Sequence, residues 1–281
     1  MLVNSLNERE IAMDYTDFLE ETRKTRRRST YDRYKASLQL FPQGTEDEIV
    51  DYIEQSSHSG VTKRNHLRIL GTALKYNGAL TKGIRRIIKS FKPDEPIQEC
   101  PTDEQVELVW KNLESDRNRA MFALMAYMGL RISEIHALNL QDITEDGRVI
   151  IRKSKGHRAD IMPMVHERVE PSIRAYINGE RKKTDDMALF TSYHGRLNLE
   201  YMKQIIKKEF EDNGLGKYHC HSLRRYFANN MYSHGVSLLD MQNCMRHASA
   251  ETTRRYLNLS QQNRIEAMQR AFAGNVGRRF A

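Results

Sequence analysis

The chain has 281 residues, enough for one large domain or two ordinary ones. Its 39% hydrophobic and 29% charged residues suit a helix-rich globular protein, and its longest nearly apolar run, Ala120 to Leu130, falls far short of the about 20 residues that a membrane-spanning helix needs. The net charge of +8 is unevenly placed: residues 1–92 carry 17 Lys and Arg against 12 Asp and Glu, residues 261–281 carry 4 against 1, and residues 93–260 are balanced. A basic N-terminal third points to a polyanionic partner, although charge alone fits an ordinary solvated surface as well.

The early residues include Glu8, Glu10 and Asp14 and no apolar stretch, so no signal peptide is expected. Cys100, Cys220 and Cys244 are odd in number and widely spaced, which argues against a disulfide framework or a zinc site and for a reducing interior.

Residues 1–92 read as four or five short helices. Ile11, Tyr15, Phe18 and Leu19 recur at helical spacing, and Tyr31, Tyr34, Leu38 and Phe41 repeat it. Pro42 and Gly44 break the chain, and Thr45 with Glu48 is a capping box for a helix through Ile53. Val61 to Tyr76 and Thr81 to Phe91 give two more. The most basic run contains Arg23, Lys24, Arg26, Arg27 and Arg28 and reads as a loop between helices; with Lys63, Arg64 and Arg68 it is a candidate for phosphate contacts. Lys92 to Pro101 holds three prolines and reads as an extended linker.

Thr102 and Gln105 cap the next helix. Met121 to Met128 is apolar nearly all round and reads as a buried helix ended by Gly129. Arg131 directly after it sits near the interior and needs an anionic partner; an ion pair with Glu134 would satisfy that on its own. Arg148 to Met164 reads as a β-hairpin around the turn Ser154 to Arg158. Helices follow over Val165 to Ile177 and Leu199 to Asn213. No phosphate-binding glycine loop or metal motif occurs, so no cofactor and no metal are expected. The fold class is therefore mainly α: an N-terminal helical bundle and a mixed, mostly α second domain with a small antiparallel β-sheet.

His221 and Arg224 lie three apart, on one face of a helix. An imidazole beside a guanidinium is a poor core but a good phosphate holder. His247 follows, and Ser249 reads as the N-cap of a new helix that carries Tyr256 about two turns in. His221-Ser222-Leu223-Arg224, then His247, then Tyr256, preceded by Gly129-Leu130-Arg131-Ile132-Ser133-Glu134, resembles the tyrosine recombinases of the phage integrase family, over about Asn7 to Tyr256.

The resemblance implies a site-specific DNA recombinase acting through a 3′-phosphotyrosyl intermediate. It implies a core-binding, SAM-like clamp over residues 1–92, a linker over 93–101, a catalytic domain over 102–260, and a tail over 261–281 that docks on a neighbour or on its own domain. Arg131, Lys155, His221, Arg224, His247 and Tyr256 would be catalytic, with Lys153 a rival to Lys155 and Glu134 orienting its neighbours. The partners implied are double-stranded DNA bearing a recombination site and three further copies in a tetramer, the free protein being a monomer or dimer in the cytoplasm, on the nucleoid. A DNA-relaxing topoisomerase of type IB and a non-catalytic DNA-binding protein of the same fold are the alternatives. Two departures stand out: the usual Leu-Gly-His is Met245-Arg246-His247, and Arg225 stands where relatives often have His. No arm-binding domain is expected before residue 8, and the chain resembles the two-domain, Xer-like members and small mobile-element integrases more than the lambda type.

Overall fold

In the computed structural model, which describes residues 13–93, 99–152 and 159–246, the chain separates into two units, Met1–Pro96 and Ile97–Ala281. The described part of the first is helical: α1 (Thr16–Thr25), α2 (Arg28–Leu38), α3 (Glu46–Gln55), α4 (Gly60–Tyr76) and α5 (Lys82–Ser90). Short polar side chains set the starts of α3, α4 and α5. Thr45 and Glu48 close the capping box of α3, and the hydroxyls of Ser59 and Thr81 accept the amides of Thr62 and Ile84 at the starts of α4 and α5. Helix α4 packs on α2, α3 and α5. Its Leu67, Leu70, Ala73 and Leu74 are fully buried against Phe18, Leu38, Phe41, Ile49 and Ile84. Each large apolar side chain in that core contributes about 1.5–3 kcal/mol by leaving water. Burial, then repulsion from Glu48, pushes the Tyr15 phenol up to about 12, so it stays protonated and donates to the Phe41 carbonyl at 2.9 Å.

The basic run is not a simple loop. Arg23 and Lys24 finish α1, Arg28 begins α2, and only Arg26 and Arg27 lie between; all five are exposed. Arginine and lysine are good helix formers, which is why charge density did not make the run irregular. Arg68 is also exposed. Arg64 is half-buried, and half-buried Lys63 donates to the Ile53 carbonyl at 2.7 Å near the end of α3.

The second unit contains α6 (Asp103–Asn112), α7 (Asp116–Ala126), α8 (Ile132–Ala137), β1 (Arg148–Ile151), β2 (Asp160–Pro163), α9 (Val169–Asn178), β3 (Thr191–Ser192), β4 (Gly195–Arg196), α10 (Leu199–Asp212), α11 (Cys220–Ser233) and α12 (Leu238–Cys244). Thr102 and Gln105 close the capping box of α6. Helix α7 is the centre of the core: Ala120 through Ala126 are all buried, and α9, α10 and α11 pack around it. The helix stops at Ala126, earlier than its apolar run suggests, and the turn Tyr127–Gly129 completes the run. Strands β1 and β2 pair antiparallel, with Arg148 opposite Pro163 and Ile151 opposite Asp160, as expected for the two arms of the hairpin; its turn, Ser154 to Arg158, lies outside the described residues.

Three of the features that were not predicted matter for the site and its surroundings. Helix α8 follows Arg131 directly. A second small ladder joins β3 and β4. Helix α9 begins at Val169, four residues after the predicted Val165. His166 there stacks on Tyr127 with ring centroids 3.8 Å apart, and Arg168 donates to Glu107 at 2.7 Å and to the Tyr127 hydroxyl at 2.9 Å. These contacts pin the segment before α9. No helix among the described residues is long and apolar enough to cross a membrane.

Candidate active site

The turn after α7 uses glycine for a reason. Gly129 sits at φ +62°, and a Cβ there would lie 2.3 Å from Phe227 Cδ1. The turn delivers Arg131 to the N-cap of α8 with an extended backbone. Glu134 then reaches back one turn. Its Oε2 accepts the Arg131 amide at 2.8 Å and its Oε1 accepts Arg131 Nη1 at 2.7 Å. The ion pair anticipated between these residues is present. It does not close the guanidinium off: 22% of the Arg131 side chain remains exposed, against 3% of Glu134.

Helix α11 supplies the second guanidinium. Arg224 is buried, with 1% of its side chain exposed, and donates to the carbonyls of Gly129 and Met245. Its Nη1 lies 3.8 Å from Glu134 Oε2. His221, one turn earlier, has an exposed side chain. The atoms packed about its ring penalise the imidazolium first, and His219, Arg225, Arg224 and Arg131 add repulsion, so its pKa lies below the ordinary value. The neutral ring is therefore the resting form, suited to accepting a proton.

A third guanidinium converges from the end of α12. Arg246 Nη2 bonds Glu134 Oε2 at 2.8 Å and lies 3.4 Å from the Gly129 carbonyl, while Nη1 donates to the Cys244 carbonyl at 2.8 Å and contacts Met162 of β2. Its side chain is 5% exposed. Among the described residues Arg246 is the one non-glycine at positive φ, at 53°. That conformation costs about 1–3 kcal/mol without glycine and persists where surrounding contacts impose it. The glycine of the usual motif thus has a backbone reason here, and the arginine in its place has an ion pair.

Three guanidiniums surround one carboxylate. Burial raises the Glu134 carboxyl, but Arg246 by charge and hydrogen bond, the Arg131 amide and Arg224 outweigh it, and its pKa ends below the usual glutamate value. The cluster carries two positive charges in excess. Buried and half-buried cations in excess call for an anion, and planar guanidiniums match the oxygens of a phosphate. Sequence reasoning had left Arg246 without a role; its departure from the usual motif was the only signal.

Of the predicted residues, the structure brings together Arg131, Glu134 and Arg224. His221 stands on the same helix as Arg224. Lys153, Lys155, His247 and Tyr256 lie outside the described residues, as does the tail 261–281. Burial and then Asp103 drive the Tyr226 phenol well above the ordinary value. No group of three or more His, Cys, Asp or Glu residues that could hold a metal occurs among the described residues.

The phage integrase family profile matches residues 101–263. Tyrosine recombinase XerC of Corynebacterium glutamicum is 23% identical over 215 residues, covering 76% of this chain and 67% of the relative. Tyrosine recombinase XerD of Bifidobacterium longum is 26% identical over 247 residues, covering 79% and 80%. In fold, the chain is similar to a transposon integrase solved with transposon right end DNA, with a TM-score of 0.70 at 15% identity over 93% of this chain and 100% of that one. It is also similar to XerH recombinase bound to palindromic difH substrate, with a TM-score of 0.67 at 19% identity over 90% and 82%. With the arginine boxes in place and more than half its length matched, the chain belongs to the phage integrase family of tyrosine-type site-specific DNA recombinases.

Proposed function

We propose that this enzyme cuts and rejoins duplex DNA at a specific site, with Tyr256 as nucleophile. The phenolic oxygen attacks the scissile phosphorus, the bond to the 5′ oxygen breaks, and a 3′-phosphotyrosyl link remains. His221 takes the phenolic proton, and Lys155 gives a proton to the leaving 5′ oxygen. Arg131 and Arg224, with His247, neutralise the nonbridging oxygens as charge builds there. A 5′ hydroxyl from a second duplex reverses the step, so strands are exchanged without ATP.

The observation that carries this reading is the convergence of Arg131 and Arg224 on one buried carboxylate, with part of Arg131 left open. In the same reading residues 1–92 clamp the duplex through phosphate contacts, 93–101 link the units, residues 102–260 cut, and 261–281 dock on a neighbour in a tetramer on DNA in the nucleoid.

The test is a nicked suicide duplex, in which the 5′ fragment diffuses away and the covalent adduct accumulates. Wild type should give a protein–DNA adduct that survives denaturation. Tyr256→Phe should bind the same duplex and give none. An adduct formed by Tyr256→Phe would move the nucleophile elsewhere.

A further inference from the structure

We propose that Arg246 is a positioning residue for the strand-cleavage site, acting through Glu134 on the guanidinium of Arg131. The inference rests on the phosphate-site reading of Arg131 and Arg224 and adds a residue to it.

Two observations carry it. First, Arg246 holds a left-handed backbone, φ 53°, where glycine is the unstrained choice. Its own contacts must therefore maintain the geometry. Second, those contacts join separate elements at one point: Glu134 on α8 at 2.8 Å, the Cys244 carbonyl at the end of α12 at 2.8 Å, and Met162 on β2. The Arg246 carbonyl adds a long contact of 3.5 Å from Arg131 Nη2, so side chain and main chain of one residue approach both members of the Arg131–Glu134 pair.

The division of labour follows from the carboxylate's two oxygens. Oε1 holds Arg131 Nη1, and Oε2 takes the Arg131 amide and Arg246 Nη2. With the Arg131 amide and Arg246 both on Oε2, the carboxylate plane is held from two sides, and Oε1 holds the Arg131 fork in one orientation. Without Arg246, a carboxylate 3% exposed keeps Arg131 and the more distant Arg224, 3.8 Å away. It would then turn toward Arg224 or take up a proton, and either change frees Arg131. Misplacing a catalytic group by about 1 Å can cost roughly 100-fold in rate. The charged groups facing Glu134 among the described residues are Arg131, Arg224 and Arg246, so loss of Arg246 removes one of its three cationic neighbours.

The experiment measures single-turnover adduct formation on the nicked suicide duplex at saturating protein, across pH, for wild type, Arg246→Gly, Arg246→Lys, Glu134→Gln and the double variant Arg246→Gly/Glu134→Gln. Arg246→Gly should bind DNA as wild type does and cleave up to roughly 100-fold more slowly, with the acid limb of its profile moved to higher pH. Arg246→Lys keeps the charge and should recover part of the rate. The double variant should be no slower than Glu134→Gln alone, because both act on one group. Arg246→Gly relieves the backbone but removes a buried ion pair, so the melting temperature of each variant is measured and cleavage is read well below it; Arg246→Lys retains the side-chain charge. A cleavage rate and pH profile equal to wild type in Arg246→Gly would overturn the proposal, as would losses that add fully in the double variant. Absence of any adduct with wild type would instead bring down the phosphate-site reading, and the proposal with it.

Discussion

Arg131 and Arg224 are proposed to do similar chemistry, yet the structure predicts that they fail differently when removed. Arg131→Ala takes away a side chain that is 22% exposed, and its partner Glu134 keeps the Arg131 amide at 2.8 Å and Arg246 at 2.8 Å. One charge-assisted bond is lost at a half-open position, about 1–2 kcal/mol. Arg224→Ala removes a side chain that is 1% exposed. It strips donors from the buried carbonyls of Gly129 and Met245 and leaves Glu134 with one cation fewer. Breaking a buried charged network of this type costs about 3–5 kcal/mol. For a unit of this size each kcal/mol lowers the melting temperature by about 2–4 °C, so Arg224→Ala should melt about 6–20 °C below wild type and Arg131→Ala about 2–8 °C below. Both should cleave roughly 10²–10³-fold more slowly when folded and saturated with DNA. Thermal unfolding of the full chain, paired with single-turnover cleavage well below either transition, separates the two effects. Equal melting temperatures for the two variants would refute the burial argument. Normal cleavage by either folded variant would return that arginine to a purely structural role.

Lys155→Ala should slow cleavage about 10²–10⁴-fold and be largely rescued when the bridging 5′ oxygen is replaced by sulfur, a leaving group that needs no proton. If Lys153→Ala shows that rescue and Lys155→Ala does not, the two lysines exchange roles. Replacing Arg26, Arg27 and Arg28 together should weaken DNA binding and flatten its salt dependence by a log–log slope of about 0.9 for each phosphate no longer neutralised; an unchanged slope would take the run off the DNA. Gly129→Ala forces a side chain into φ +62° and into the Phe227 ring, and should lower the unfolding free energy by about 2–4 kcal/mol, read as a lower urea midpoint. An unaltered midpoint would show that Phe227 gives way freely.

The parts of the fold that were legible are those set by neighbours in sequence. The capping boxes of Thr45 with Glu48 and Thr102 with Gln105 need only four residues each, and both formed. The Arg131–Glu134 pair and the shared helix of His221 and Arg224 follow from spacing for the same reason. Apolar runs were less exact, because burial is not helicity: Tyr127 and Met128 continue the pattern of α7 in a turn. Strands β3 and β4 have two residues each, too few for any period to show, and Asp186 supports them from outside through the amides of Ala188 and Arg196. The place of Arg246 was illegible because it depends on three segments meeting in space.

That meeting has a consequence for when the cluster can form during synthesis. Arg131 and Arg246 are 115 positions apart, and Gly129 and Arg224 are 95 apart. At roughly 5–20 residues per second, a ribosome needs about 6–23 s to pass from Arg131 to Arg246. During that interval a nascent chain carries its basic N-terminal unit while its arginine cluster is still incomplete. On the proposed reading, a nascent chain short of Arg246 lacks the assembled cluster that strand cleavage needs.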